Sequence, residues 1–571
     1  MKVSDYIVQT LEKWNIDTVF GYTGGSIADV IDSVYRSKTI KYIQSYNEQG
    51  SAFSANAYAQ LTGKTGVAIS SSGPGAINMI NGIANAYYDS IPCVFITGNA
   101  HSLSRRKFSE IRQNAFQETD IVEIVKSVTK YSTYVENAEE IRFVLEKAFH
   151  IAHQGRKGPV LLDIPYDVQR KEINADSVRG YYGVQNQREY IDLHKIRQIK
   201  ESILNSRRPL LLVGGGCQYA RQTLRSLLRR IPLPVVASMR GLDIIPHQNA
   251  NYIGFIGSYG NRLANLAILH CDLLIVLGSR LDERQMGYDK RAFAPNAQII
   301  QIDIDENEIG RKTDNVVSVC AKVEDFLDIF CKDLPFYSCE KWIAFLNRWK
   351  KNQYMEPSSE KKVCANTIIS RFSEIFDDDA IIVSDVGQNQ IVCAQSLALK
   401  EHSNFLCSAG LACMGYSLPA AIGAYYASMQ RQIISINGDG GIMMNMQELQ
   451  TIRRENLPIK IIILNNNCLG LIRKLQEKLF DGRYCASISG YAAPDFREIA
   501  RAFKFDYIKI DENTDFQNSY PLLKNENPVM IEVLLPYEMS TISEPGENIY
   551  SQIPQIPEKE FEKFKKQAEM I

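Results

Sequence analysis

Short runs of Val, Ile and Leu recur along the chain, each separated from the next by a longer amphipathic stretch. Residues 67–70, 93–97, 160–164, 210–213, 273–277, 299–302, 381–383, 433–436 and 459–464 carry the pattern. A strand that is apolar on both faces must be covered on both, which is the condition of a parallel sheet held between helices. The alternation therefore predicts an α/β fold, with parallel sheets flanked by helices. None of the runs approaches the length of a membrane span.

At roughly 150 residues per domain, 571 residues make three large domains or four ordinary ones. The rhythm breaks twice, in the polar stretch 171–197 and in the charged, aromatic stretch 332–362. Cutting there predicts three α/β domains, 1–175, 190–335 and 360–571. The last would end in an arm with Pro545, Pro554 and Pro557, then a charged helix at 558–570, lying over another part of the molecule. Lys and Arg number 64 against 65 Asp and Glu, a net charge of -1. That balance argues against nucleic acid or an anionic membrane as partner. The twelve cysteines form no C-x-x-C pair and read as free thiols. Residues 1–20 carry Asp5, Glu12, Lys13 and Asp17 in a helical pattern, unlike a secretory leader. The expectation is a cytoplasmic protein that acts on small molecules.

The strongest chemical signal follows the run 433–436. Asn437-Gly438-Asp439-Gly440-Gly441 places a carboxylate at the carboxyl end of a parallel strand, where open α/β sheets bind ligands. After Gly440 come 24 residues and then Asn465-Asn466, behind the run 459–464. One helix and one return strand fill that gap, so Asp439 and Asn466 are expected side by side. A carboxylate and an amide oxygen are hard donors suited to Mg²⁺ or Ca²⁺, and Mg²⁺ prefers to share its shell with phosphate oxygens. Either motif alone is a common turn; together they point to a metal and a diphosphate.

Gly438-Asp439-Gly440, the 24-residue spacing and Asn465-Asn466 resemble the thiamin-diphosphate signature of 2-oxo-acid decarboxylases and carboligases. The resemblance implies that Asp439, Asn466 and the main-chain carbonyl of Cys468 hold the metal. It places Gly387, Gln388 and Asn389, with Gly438, Gly440 and Gly441, around the diphosphate, and Met414 under the bend of the cofactor. Glu48, in Ser45-Tyr46-Asn47-Glu48-Gln49-Gly50 after the run 40–43, becomes the glutamate that activates the cofactor through its pyrimidine ring. Without the family it would read as a helix-start carboxylate.

Phe20 to Gly25, Thr62 to Gly66, Ser72 to Asn78, Asp89 to Pro92 and Ala115 to Asp120 resemble the acetolactate (acetohydroxyacid) synthase branch. That branch implies a pyrimidine-binding, a central and a diphosphate-binding domain, and a homodimer or homotetramer in which Glu48 serves the partner's cofactor. It implies FAD in the central domain, at Arg156, at Arg280 in Gly278 to Arg284, and near Asp303 and Asp305. Substrate contacts fall on Phe116, Gln117, Arg284 and Leu475. Three departures bear on the acceptor. Tyr166 stands where synthases usually carry lysine, and Leu475 replaces a tryptophan. The segment from Asn99 to Ala115 is longer than usual and carries Arg105, Arg106 and Lys107. The expected activity is decarboxylation of pyruvate with transfer of the two-carbon unit to a carbonyl acceptor, a ketone or keto-sugar. The alternatives are an acetolactate synthase with pyruvate as acceptor, a pyruvate oxidase or decarboxylase, and a non-catalytic scaffold.

Overall fold

A computed structural model describes residues 1–105, 110–183, 191–313, 316–334, 336–352, 355, 364–512, 514, 516–539 and 541–571. It contains three six-stranded parallel sheets. The first holds β1 (Thr18–Gly21), β2 (Lys41–Gln44), β3 (Gly66–Ser70), β4 (Cys93–Asn99), β5 (Tyr131–Tyr134) and β6 (Val160–Pro165), in the order β2-β1-β3-β4-β6-β5. The second holds β7 (Pro209–Val213), β8 (Val235–Ala237), β9 (Tyr252–Phe255), β10 (Leu273–Leu277), β11 (Gln298–Asp303) and β12 (Val316–Cys320), in the order β12-β11-β10-β7-β8-β9. The third holds β13 (Ile381–Ser384), β14 (Asn404–Cys407), β15 (Ile433–Gly438), β16 (Lys460–Asn465), β17 (Asp506–Ile510) and β18 (Val529–Leu534), in the order β14-β13-β15-β16-β18-β17.

Each of the nine apolar runs falls on one of these strands, with Ile459 alone preceding its strand β16, and β3, β4, β6, β7 and β10 are buried along their whole length. The first and third sheets repeat one topology. The second, read from its other edge, follows the strand order of dinucleotide-binding folds. The basis is physical: a crossover between parallel strands needs a helix, and right-handed crossovers leave few orders open.

Helix Glu48–Thr62 follows β2, helix Ser417–Ala427 follows β14, and these equivalent helices pack on each other. Small side chains make the close approach possible: Ala52, Ala55 and Ala59 on one, Ala420, Ala421 and Ala424 on the other, all fully buried. A Cβ on Gly423 would run into the carbonyl of Ser54, and Ser54 Oγ donates to Pro419 O at 2.7 Å. The first and third domains are thereby joined within one chain. The C-terminal arm crosses back to the central domain, where Ser543 Oγ donates to Gly260 O at 2.7 Å. Helix Glu558–Glu569 then buries Phe564 against Phe345 and Trp349. Among the described residues no helix is long and apolar enough to cross a membrane, and all twelve cysteines are free.

Candidate active site

β15 and β16 are adjacent, with Gly438 opposite Leu464, so Asp439 and Asn466 emerge from neighbouring strand ends. Asp439 begins the short helix Asp439–Ile442 and is 3 % exposed. Its Oδ2 accepts from Tyr491 Oη at 3.0 Å. Burial pushes its carboxyl up to about 6, while Tyr491 and the main-chain amides of Gly440 and Cys468 work in the opposite direction. Asn466 is buried and donates from Nδ2 to Gln388 Oε1 at 3.2 Å. Gln388 opens helix Gln388–Ser396 behind Gly387, whose φ of +139° favours glycine. Asn389 donates to Asp385 O at 2.7 Å, and a Cβ on Gly438 would lie 3.3 Å from Asn389 Oδ1. Gly387, Gln388, Asn389, Gly438, Asp439, Gly440, Gly441, Asn466 and Cys468 thus share one carboxyl edge of the third sheet. Among the described residues no three His, Cys, Asp or Glu side chains converge on a metal position; the polar groups gathered here are a carboxylate, side-chain amides and main-chain groups.

Met414 belongs to the same edge. A Cβ on Gly440 would be 3.8 Å from Met414 Cε, and the side chain is half-buried, outside the core. Its loop is held by Asp385, two residues before Gly387, which no local pattern in the sequence marks. Fully buried Asp385 accepts from the amides of Val386 (2.7 Å), Gly415 (2.9 Å) and Ser417 (3.1 Å). Burial raises its carboxyl to about 6 against those donors. A Cβ on Gly441 would come within 2.7 Å of its Oδ1.

Glu48 lies in the first domain, in the first turn of its helix, with Asn47 Oδ1 capping Gln49 N at 2.8 Å. It is 7 % exposed, and Oε2 accepts from Asn78 Nδ2 at 3.0 Å. A Cβ on Gly75 would be 2.9 Å from Oε1. Asn78 and Tyr491 were not singled out from the sequence, since nothing local marks either as a partner of a distant carboxylate. The turn at Gln117 (φ +58°) packs on Gly73, two residues before Gly75. Asn99 Nδ2 donates to Thr119 O (3.3 Å) beyond that turn and to Asp163 (2.6 Å). Phe116 is 87 % and Leu475 47 % exposed; neither is drawn into the cluster around Asp439. Tyr166 lies edge-on to His101. Arg105 lies over the Tyr134 ring at 4.1 Å, whereas Arg106 and Lys107 fall outside the described residues.

A cavity of about 300 Å³ opens where the first and central domains meet, at the carboxyl ends of β7, β10 and β11, with Gln390, Ile391 and Ala409 of the third domain in its wall. Arg156, Arg240, Arg280 and Arg284 line it, with Gly216, Gly278 and Asp303. Gly216 N donates to Gly278 O at 3.0 Å, two turns in backbone contact. Arg156 bonds Asp305 (3.0 Å), Glu308 (3.1 Å) and Ser90 (2.9 Å), tying the first domain to the second. Arg280 is half-buried, 3.7 Å from Asp282, and Arg284 is exposed at the rim.

Family models for thiamine pyrophosphate enzymes match this chain three times. The N-terminal TPP binding domain covers residues 1–124, the central domain 196–329 and the C-terminal TPP binding domain 385–533. The chain is 34 % identical over 536 residues to the acetolactate synthase isozyme 2 large subunit of Escherichia coli (strain K12), covering 93 % of this chain and 95 % of that one. It is 34 % identical over 548 residues to the acetolactate synthase large subunit of Cyanidium caldarium, covering 93 % and 92 %. To the chloroplastic acetolactate synthase of Arabidopsis thaliana it is 35 % identical over 557 residues, covering 94 % and 82 %. The chain belongs to the thiamin-diphosphate-dependent enzymes, in their acetolactate synthase branch.

Proposed function

We propose that this enzyme removes carbon dioxide from pyruvate and joins the remaining two-carbon unit to the carbonyl of a second 2-oxo acid, pyruvate in the first instance. The observation that carries the reading is the coexistence of buried Asp439 and Asn466 at neighbouring strand ends with buried Glu48 at the start of a helix in the first domain. It is joined by close likeness to proteins named acetolactate synthase. The keto-sugar acceptor expected from Tyr166, Leu475 and the lengthened segment finds no support among those relatives, and pyruvate takes its place.

Asp439, Asn466 and the carbonyl of Cys468 would hold Mg²⁺. The donors fit: a buried carboxylate whose charge burial opposes is relieved by a divalent cation, and Asn466 spends its NH₂ group on Gln388, leaving the amide oxygen for a ligand. The glycines 387, 438, 440 and 441 leave room for a diphosphate, which Gln388 and Asn389 would help to hold, and Met414 would pack against the cofactor. Bound thiamin diphosphate supplies the electron sink for decarboxylation. Glu48 would exchange a proton with the pyrimidine ring of the bound cofactor, its carboxyl oriented by Asn78 and the space over Gly75 kept open. Its low exposure excludes bulk water from that exchange. Arg284 orients the acceptor carboxylate.

The cavity beside Gly216 and Gly278 suits FAD: a dinucleotide-type strand order, backbone turns without side chains and converging arginines favour a diphosphate-bearing ligand. In a synthase that flavin is structural. The working unit is a homodimer. Tyr46 and Ile77 near Glu48, and Leu411, Met443 and Met444 near Met414, are 37–55 % exposed, an apolar rim that a second copy would cover.

Product analysis with pyruvate alone, then with pyruvate and added 2-oxobutyrate or ketones, tests the reading. Acetolactate is expected from pyruvate alone. Acetaldehyde as sole product would assign a decarboxylase, flavin bleaching on pyruvate an oxidase, and turnover only with an added ketone would restore the other acceptor.

A further inference from the structure

The turn that carries Glu48 is gripped from outside its own domain. Glu448, nine residues beyond Asp439 in the third domain, opens helix Glu448–Arg454 and is completely buried. Among the described residues no cation forms an ion pair with it, although the charge of nearby Arg454 favours its ionised form. Instead Oε1 accepts from Tyr46 N at 2.9 Å and Oε2 from Thr451 Oγ1 at 2.7 Å, and the Asn47 amide also favours its charged form. The cost of burying a carboxylate is thus offset by main-chain donors of the two residues before Glu48. Gly50 completes the fit, since a Cβ there would lie 2.7 Å from Glu448 Oε1. The same helix holds the other side of the turn: Arg454 donates to Gln44 O and lies over the Tyr46 ring at 5.5 Å. Next to it, Glu455 pairs with Lys41 at 3.4 Å. Three residues before Glu448, Asn445 donates to Gly415 O at 2.8 Å, beside Met414.

We propose that Glu448 is a positioning residue for Glu48, fixing the backbone of Tyr46 and Asn47 so that the Glu48 carboxyl meets the cofactor's pyrimidine in one orientation. This rests on the reading of Glu48 given above. A carboxylate buried only for stability would be replaced by apolar side chains without a selective effect on proton transfer. One that sets the direction of Glu48 acts only through Glu48.

The experiment compares Glu448→Ala, Glu448→Gln and Glu48→Gln, singly and combined, in the full-length enzyme with thiamin diphosphate and Mg²⁺. The readouts are kcat, KM for pyruvate, cofactor affinity and the C2 hydrogen-exchange rate of the bound cofactor by NMR. Glu448→Ala is expected to lower kcat and exchange at least ~10-fold, with KM and cofactor affinity within ~3-fold. Glu448→Gln, which keeps an oxygen for the Tyr46 amide, should recover at least about half of the rate. In the Glu48→Gln background Glu448→Ala should change exchange by less than ~2-fold. An equal factor in both backgrounds, or a shift in cofactor affinity that accounts for the lost rate, overturns the proposal. Where Glu448→Ala does not fold, Glu448→Asp is read in the same way. Wild-type exchange in Glu48→Gln would remove the role of Glu48 itself; a slow Glu48→Gln beside a fully active Glu448→Ala would remove only that of Glu448.

Discussion

Three buried carboxylates at the carboxyl ends of sheet strands, Asp163, Asp385 and Asp439, are each raised by burial, with hydrogen bonds to the charged form opposing the shift. Asp163 is the case with no assigned chemistry. It accepts from Thr97 (2.8 Å) and Asn99 (2.6 Å), and burial moves its carboxyl from 3.8 to about 7. An acid raised on folding binds more protons folded than unfolded between those two values. Stability therefore falls as pH rises from about 4 to about 7 and is level above. Asp163→Asn should remove that slope. The wild type is expected to lose on the order of 2 kcal/mol relative to the variant between pH 5 and pH 8, read from paired denaturation curves. Glu48→Gln, an isosteric change at a single carboxyl, should keep the melting temperature within a few degrees and lower kcat by ~100-fold or more. Retained turnover would exclude the proposed proton transfer.

At the scale of elements, the central strands were legible because burial on both faces writes them as unbroken apolar runs. Edge strands β5, β12 and β17 are only partly buried, and their mixed sequences gave no comparable signal. The pairing of helices Glu48–Thr62 and Ser417–Ala427 left its trace only as alanines and a glycine. Gly423→Leu should force these helices apart at Ser54 and cost about 3 kcal/mol or more. A lowered unfolding midpoint, with the first and third domains loosened together in hydrogen exchange, is the expected result. An unchanged midpoint would mean that the interface is softer than its geometry implies.

At the scale of the molecule, one chain brings two copies of one sheet topology together and straps the central domain down with its own C-terminal arm. The arm was anticipated from its prolines and charged helix; its docking partners were not. Phe564 sits fully buried among Phe345, Trp349 and His270, and Phe564→Ala should cost about 3–5 kcal/mol. Differential scanning calorimetry should then show the central domain melting earlier than the rest. If the exposed apolar rim is a dimer contact, Met444→Arg should lower the molar mass seen by light scattering. Activity per subunit should fall with it on dilution. A monomeric variant with full activity would sink the shared site.

By itself the sequence determined the fold class, the adjacency of Asp439 and Asn466 and the place of Glu48 at a strand end. These follow from local periodicity and from the single crossover that fits between two motifs. Tertiary structure alone decided that Asp385 holds the Met414 loop, that Asn78 holds Glu48, and that Glu448 of one domain grips the Glu48 turn of another. Those contacts join residues up to several hundred positions apart. A buried carboxylate finds its donors where folded backbones meet, and no local pattern records that meeting.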